Sequence, residues 1–288
     1  MKVSPSLSSW RGSRSSRCRQ PPTRPTGWST DWYDDAVATR GPAQVTPPGD
    51  SAPGLWTTPV RGRAALSALA WVLLYGAGVV VVVIGFLFAA RAAGTGRPDI
   101  ALVALIVLGG TAVATLVAVW IHLLRRRGLR WADLGLRQPD RSPLHLMWQI
   151  PAVMITGSVA SMLVLIPLGA TEAADDAALT DLVAGGPVFM VSGMLTVAVL
   201  VPVAEEVVFR GIVLAALRAR FRVVAGTTLA GAAFAVVHLL PPALPYLLVV
   251  GISLCAMAEW YRSIIPGIVL HGVNNAVVFG GVIAAGVG

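Results

Sequence analysis

Residues 186–217 read GPVFMVSGMLTVAVLVPVAEEVVFRGIVLAAL, an apolar run broken only by Glu205, Glu206 and Arg210. A helix needs about 20 apolar residues to cross the hydrocarbon core of a bilayer, and this stretch exceeds that length. Each charge held at the bilayer centre costs roughly 2.5–3.5 kcal/mol on insertion scales. A helix that only spans has no use for three charges within six residues. The stretch therefore reads as a functional site inside a membrane helix, with partners to be sought elsewhere in the chain.

The composition supports that reading. The chain has 288 residues, 56% hydrophobic and 12% charged, with mean hydropathy +0.74. Soluble domains do not have that balance. Seven apolar segments are expected near 65–90, 100–124, 144–169, 187–217, 223–240, 243–259 and 264–286. The expected fold class is all-α: a polytopic transmembrane helix bundle of about seven spans, preceded by a disordered tail over residues 1–63. That tail is rich in Ser, Pro, Arg and Gly and has neither hydrophobic periodicity nor the apolar core of a signal peptide. The expected organisation is the tail, two N-terminal membrane helices over 64–129, and a domain over 130–286.

A net charge of +8 would raise nucleic acid as a partner in a soluble protein. Here the arginines report orientation instead. Nineteen basic residues fall in the tail and in the loops after the second, fourth and sixth segments. Arg91 and Arg97 alone fall on the other side, where the long loop from Ala170 to Gly186 is acidic. This alternation predicts a cell-membrane protein with a cytoplasmic N-terminus and an external C-terminus. The expected partners are the lipid bilayer and a membrane-associated substrate, with no nucleic acid; the oligomeric state is not readable. Cys18 and Cys255 form neither a disulfide framework nor a thiolate metal site. No internal repeat or pair of matching broken segments marks an inverted-repeat transporter.

Glu206 and Arg210 are four residues apart, so they share a helix face and can pair. Glu205 is rotated about 100° from Glu206 and lacks that local counter-charge. A carboxylate withdrawn from water without a cation is suited to accept a proton. Glu205 is the candidate working group and Glu206 its support. On its own, the string also fits an arginine-neutralised cluster that joins helices. Two further motifs alter the balance. Phe234-Ala-Val-Val-His238 ends the fifth segment, and His271-Gly-Val-Asn274-Asn275 lies in the last. His271 and Asn275 share a face at i, i+4 spacing, with Asn274 nearly so. A carboxylate, two imidazoles and a carboxamide on three separate helices are the parts of a hydrolase. Gly226, Gly231, Ala232, Ala233, Gly267 and Gly272 would let these helices approach closely. His122 and His145, at segment ends beside an arginine-rich loop, read as interfacial.

These three motifs, in this order on successive apolar segments, resemble the CAAX protease and bacteriocin-processing (CPBP, or Abi) family of intramembrane proteases. Leu134-Gly135-Leu136-Arg137 resembles it too, so the likeness spans roughly 130–286. It implies a peptide-bond hydrolase in a helical bundle. By carry-over, Glu205 and His238 would activate the attacking water, and His271 and Asn275 would form the oxyanion hole. Glu206 and Arg210 would hold the motif helix, with Phe234 and Asn274 supporting. Family members are often labelled metalloproteases, although a metal-free, glutamate-activated water is also proposed. No His-Glu-x-x-His occurs here, which favours chemistry without a cofactor. Were a divalent ion such as zinc bound, Glu205, His238 and His271 would be its ligands. The competing readings are a non-catalytic immunity or scaffold protein of the same fold and a proton-coupled transporter. One geometric strain stands out. His238 is about 24 Å along its helix from Arg222, whereas His271 is only about 13 Å from Arg262.

Overall fold

The computed structural model describes residue 60 and residues 62–94, 99–169 and 177–287. The predicted tail lies almost wholly outside these residues, as do Arg97, Glu172, Asp175 and Asp176. Among the described residues there are helices and no strand. In chain order they are α1 (Gly62–Ala92), α2 (Ile100–Arg125), α3 (Leu146–Leu165), α4 (Ala177–Ala184), α5 (Pro187–Arg218), α6 (Val223–Val237), α7 (Leu244–Tyr261) and α8 (Ile265–Val287).

The seven expected apolar segments are all helical, and six are long and apolar enough to cross a membrane. The protein is a multi-pass membrane protein. The exception is α6, whose 15 residues reach only about 22 Å at 1.5 Å per residue, short of a core about 30 Å thick. Large apolar side chains such as Leu73, Phe88, Met147 and Val188 stand exposed on the outer faces, where lipid would meet them. With no hydrophobic force between helices in lipid, close packing has to hold the bundle. Glycines provide it where α6 crosses α7: a Cβ on Gly231 would sit 2.6 Å from the Ile252 nitrogen, and one on Gly251 would sit 2.7 Å from the Gly231 oxygen.

One expectation is corrected. The loop expected between Ala170 and Gly186 contains α4. Its Leu179, Leu182 and Val183, at i, i+3 and i+4, pack on Ala104, Val197 and Phe279, so burial of that face gives the short helix its order. His122, at the end of α2, is buried: a π-helical turn (Trp120–Arg125) faces its imidazole onto Trp71, ring centres 4.1 Å apart. His145 packs edge-on against Trp260.

The loop between α2 and α3 is a polar strap over the α7–α8 corner. Ile264 N–H donates to Gly135 O at 2.9 Å, Asp140 N–H to Tyr261 O at 3.0 Å, and Arg137 Nε to Arg262 O at 2.8 Å. The Arg262 guanidinium pairs with Asp140 at 3.0 Å, and Arg262 itself takes a left-handed conformation with φ 53°. The strap also touches α5: a Cβ on Gly211 would lie 2.8 Å from Leu134 O. Leu134-Gly135-Leu136-Arg137 therefore ties the motif helix α5 to the start of α8. Gly211→Val is expected to cost about 1–3 kcal/mol by overpacking this backbone contact, measurable as a lowered melting temperature of the detergent-solubilised protein.

Candidate active site

The site is built on α5, and Pro202 shapes it. Proline has no N–H, and its ring crowds the carbonyl four residues earlier. Just before it the helix widens into a π-turn over Thr196–Leu200, with Val201 N–H bonded to Thr196 O. In that register the next donor would be residue 202, which has none. Val197 O is left open, and Asn275 of α8 takes it, donating through Nδ2 at 3.1 Å. Ala198 O, four residues before Pro202, packs onto Gly272 so tightly that a Cβ there would collide with it. A second π-turn, Phe209–Leu214, follows the glutamates. Such turns recur at functional sites. Gly272→Ala should push α8 off α5. The variant should melt at a lower temperature than the wild type, because it overpacks this backbone contact.

Glu206 and Arg210 are both fully buried, and Arg210 NH1 donates to Glu206 Oε1 at 2.8 Å. Arg210 NH2 reaches Gly251 O at 3.2 Å, and the guanidinium lies 4.6 Å from the centre of the Phe234 ring. The same Glu206 oxygen meets His271 Nδ1 at 3.0 Å. A carboxylate that accepts from arginine can only accept from the imidazole as well, so Nδ1 carries a proton. The other ring nitrogen, Nε2, then points to Glu205 Oε2, 3.5 Å away. Glu205 is the freer of the two glutamates, its side chain 28% exposed.

His238 caps the end of α6, with Nδ1 2.7 Å from Phe234 O. A carbonyl only accepts, so this nitrogen donates and Nε2 is left with its lone pair. The Phe234 ring touches both imidazoles, with centres 4.7 Å from His238 and 5.6 Å from His271. Gly231 beside Ile252 sets His238 level with the start of α7. Tyr246 bonded to Asn274 sets that level close to Asn275 on α8. Helical side chains lean toward their N-terminus, and the contact of His238 with Phe234 O runs in that direction. Both imidazoles pack on Phe234 and line one cavity, so the depth mismatch expected from sequence does not keep them apart.

One cavity of about 280 Å³ is lined by Glu205, His238, His271 and Asn275 together, along with Tyr246 and Asn274. A second, apolar chamber of about 560 Å³ between α1, α2, α5 and α6 shares Glu205 as part of its wall. The structure thus brings every predicted catalytic residue to one cavity. It also gives two contacts that the sequence did not indicate. Glu206, expected only to neutralise Arg210, also engages His271. The imidazole that contacts Glu205 is His271, whereas His238 was the expected partner. Tyr246 was missed entirely: a hydroxyl near the start of an apolar helix was its only signal. Among the described residues no group of three His, Cys, Asp or Glu side chains is placed to hold an ion.

Residues 187–277 match the family described as type II CAAX prenyl endopeptidase Rce1-like. The match starts with α5 and ends within α8, so it contains every residue of the candidate site. No curated protein and no solved structure matches the chain. Over that segment the chain is similar to the Rce1-like domain of CAAX-type proteases.

Proposed function

We propose that this chain, through its Rce1-like domain, is an intramembrane endopeptidase that hydrolyses a peptide bond of a membrane-associated protein or peptide. The observation that carries the reading is the convergence of Glu205 from α5, His238 from the end of α6, and His271 and Asn275 from α8 on one cavity. Glu205 takes a proton from water, and His238, with Nε2 free to accept, helps to hold that water. The resulting hydroxide adds to the scissile carbonyl. Asn275 has a second Nδ2 hydrogen beyond the one given to Val197 O, and it meets the developing oxyanion. His271, in its protonated form between Glu205 and Glu206, donates from Nε2 to the same oxygen. Collapse of the intermediate breaks the C–N bond, and the proton held by Glu205 passes to the leaving nitrogen.

The apolar chamber beside Glu205 accommodates an apolar part of the substrate next to the bond that is cut. The arginine distribution supports a cytoplasmic N-terminus. The test is comparative peptidomics of membranes that contain the wild type or Glu205→Gln. New peptide termini present with the wild type and missing with the variant support the proposal; identical termini overturn it.

A further inference from the structure

Tyr246 enters the cavity from the first turn of α7, and neither the motifs nor the mechanism above uses it. Its hydroxyl donates to Asn274 Oδ1 at 2.5 Å. Asn274 Nδ2 donates to Asn275 Oδ1 at 3.3 Å, and Asn275 Nδ2 donates to Val197 O at 3.1 Å. These bonds form one directed chain, from a phenol through two carboxamides to a backbone carbonyl. Each link fixes which end of the next amide is oxygen and which is nitrogen, because a carboxamide accepts only at oxygen and donates only at nitrogen. The chain starts at Tyr246, the one member able to rotate its proton, and ends at Val197 O, the carbonyl left open ahead of Pro202. The phenol is held in a slot: a Cβ on Gly157 of α3 would lie 2.8 Å from Tyr246 Cδ2.

We infer that Tyr246 is a positioning residue of the hydrolytic site, holding Asn274 so that Asn275 presents its remaining Nδ2 hydrogen to the oxyanion. The inference rests on the proposed hydrolase reading for its consequence in catalysis, but the hydrogen-bond chain itself can be tested without any reaction. Asn274 and Asn275 are the only asparagines in the sequence. Selective 15N labelling of asparagine side chains in the full-length protein in nanodiscs therefore yields two carboxamide groups and no overlap.

Tyr246→Phe keeps the ring in the Gly157 slot and removes only the donor. Both carboxamide signals should shift in this variant and stay in place in the control Tyr75→Phe on α1. Unchanged asparagine signals in Tyr246→Phe overturn the inference. Kinetics with a quenched fluorescent, farnesylated CAAX peptide give the second readout. The variant should lose kcat about 10- to 100-fold, as expected for a displaced catalytic donor, with KM and melting temperature close to wild type. Adding Tyr246→Phe to Asn274→Ala should cost nothing further, since the chain is already cut. Wild-type kcat in Tyr246→Phe, or fully multiplicative losses in the double variant, count against the chain as a positioning device. If the wild type fails to cleave the probe, the hydrolase reading loses support, and the asparagine spectra still decide whether Tyr246 holds the pair.

Discussion

Glu205→Gln is expected to reduce cleavage by about 10²–10⁴-fold, the range a general base contributes, while leaving the fold intact. The side chain keeps its shape and loses only the ability to take a proton from water. Structure gives little reason for collateral damage. Glu205 is partly exposed to the cavity, and its contact is the 3.5 Å approach of His271 Nε2, which the carboxamide oxygen of glutamine can still accept. The measurement pairs a cleavage assay on the substrate found by peptidomics with melting temperature and elution profile. Loss of cleavage with unchanged melting places the defect in chemistry. A variant that cleaves as well as wild type removes Glu205 from the mechanism and favours a scaffold in which the glutamates only join helices.

Much of this site could be read from the sequence because its strongest signals are local. Glu206 and Arg210 pair four residues apart on one helix face, and charge within an apolar run is conspicuous whatever the fold. The apolar segments announce themselves through length. What escaped depends on the register between helices. His271 finds Glu206 across 65 residues of sequence, and no periodicity encodes that meeting. Tyr246 meets Asn274 only because the α7–α8 corner sets the two helices in one particular register. The π-turns are half-visible at best: Pro202 marks the first, and the second, over Phe209–Leu214, has no proline to flag it. α4 was hidden because its eight residues sit in a stretch whose acidic charge made a loop the simpler reading. The apparent conflict in depth between His238 and His271 arose from measuring each along its own helix from a loop arginine.

Glu206→Ala is expected to be the most destabilising substitution in the site, by roughly 3–5 kcal/mol, as found when one partner of a buried pair is removed. Arg210 is fully buried, and after the change its recorded hydrogen bond is the 3.2 Å contact with Gly251 O. The guanidinium would keep the Phe234 face at 4.6 Å, which is no substitute for a carboxylate. His271 would lose the acceptor that fixes its Nδ1 proton, so chemistry and stability should fail together in this variant. A double variant separates them. Replacing the whole pair by apolar residues of similar volume, Glu206→Leu with Arg210→Met, removes the stranded charge and is often close to neutral for stability. Melting temperature should therefore recover toward wild type in the double variant. Cleavage should not recover, because His271 still lacks Glu206 and its ring is free to turn. Recovery of both would make Glu206 a purely structural counter-ion. Recovery of stability alone would assign it a second task, holding the imidazole beside Glu205.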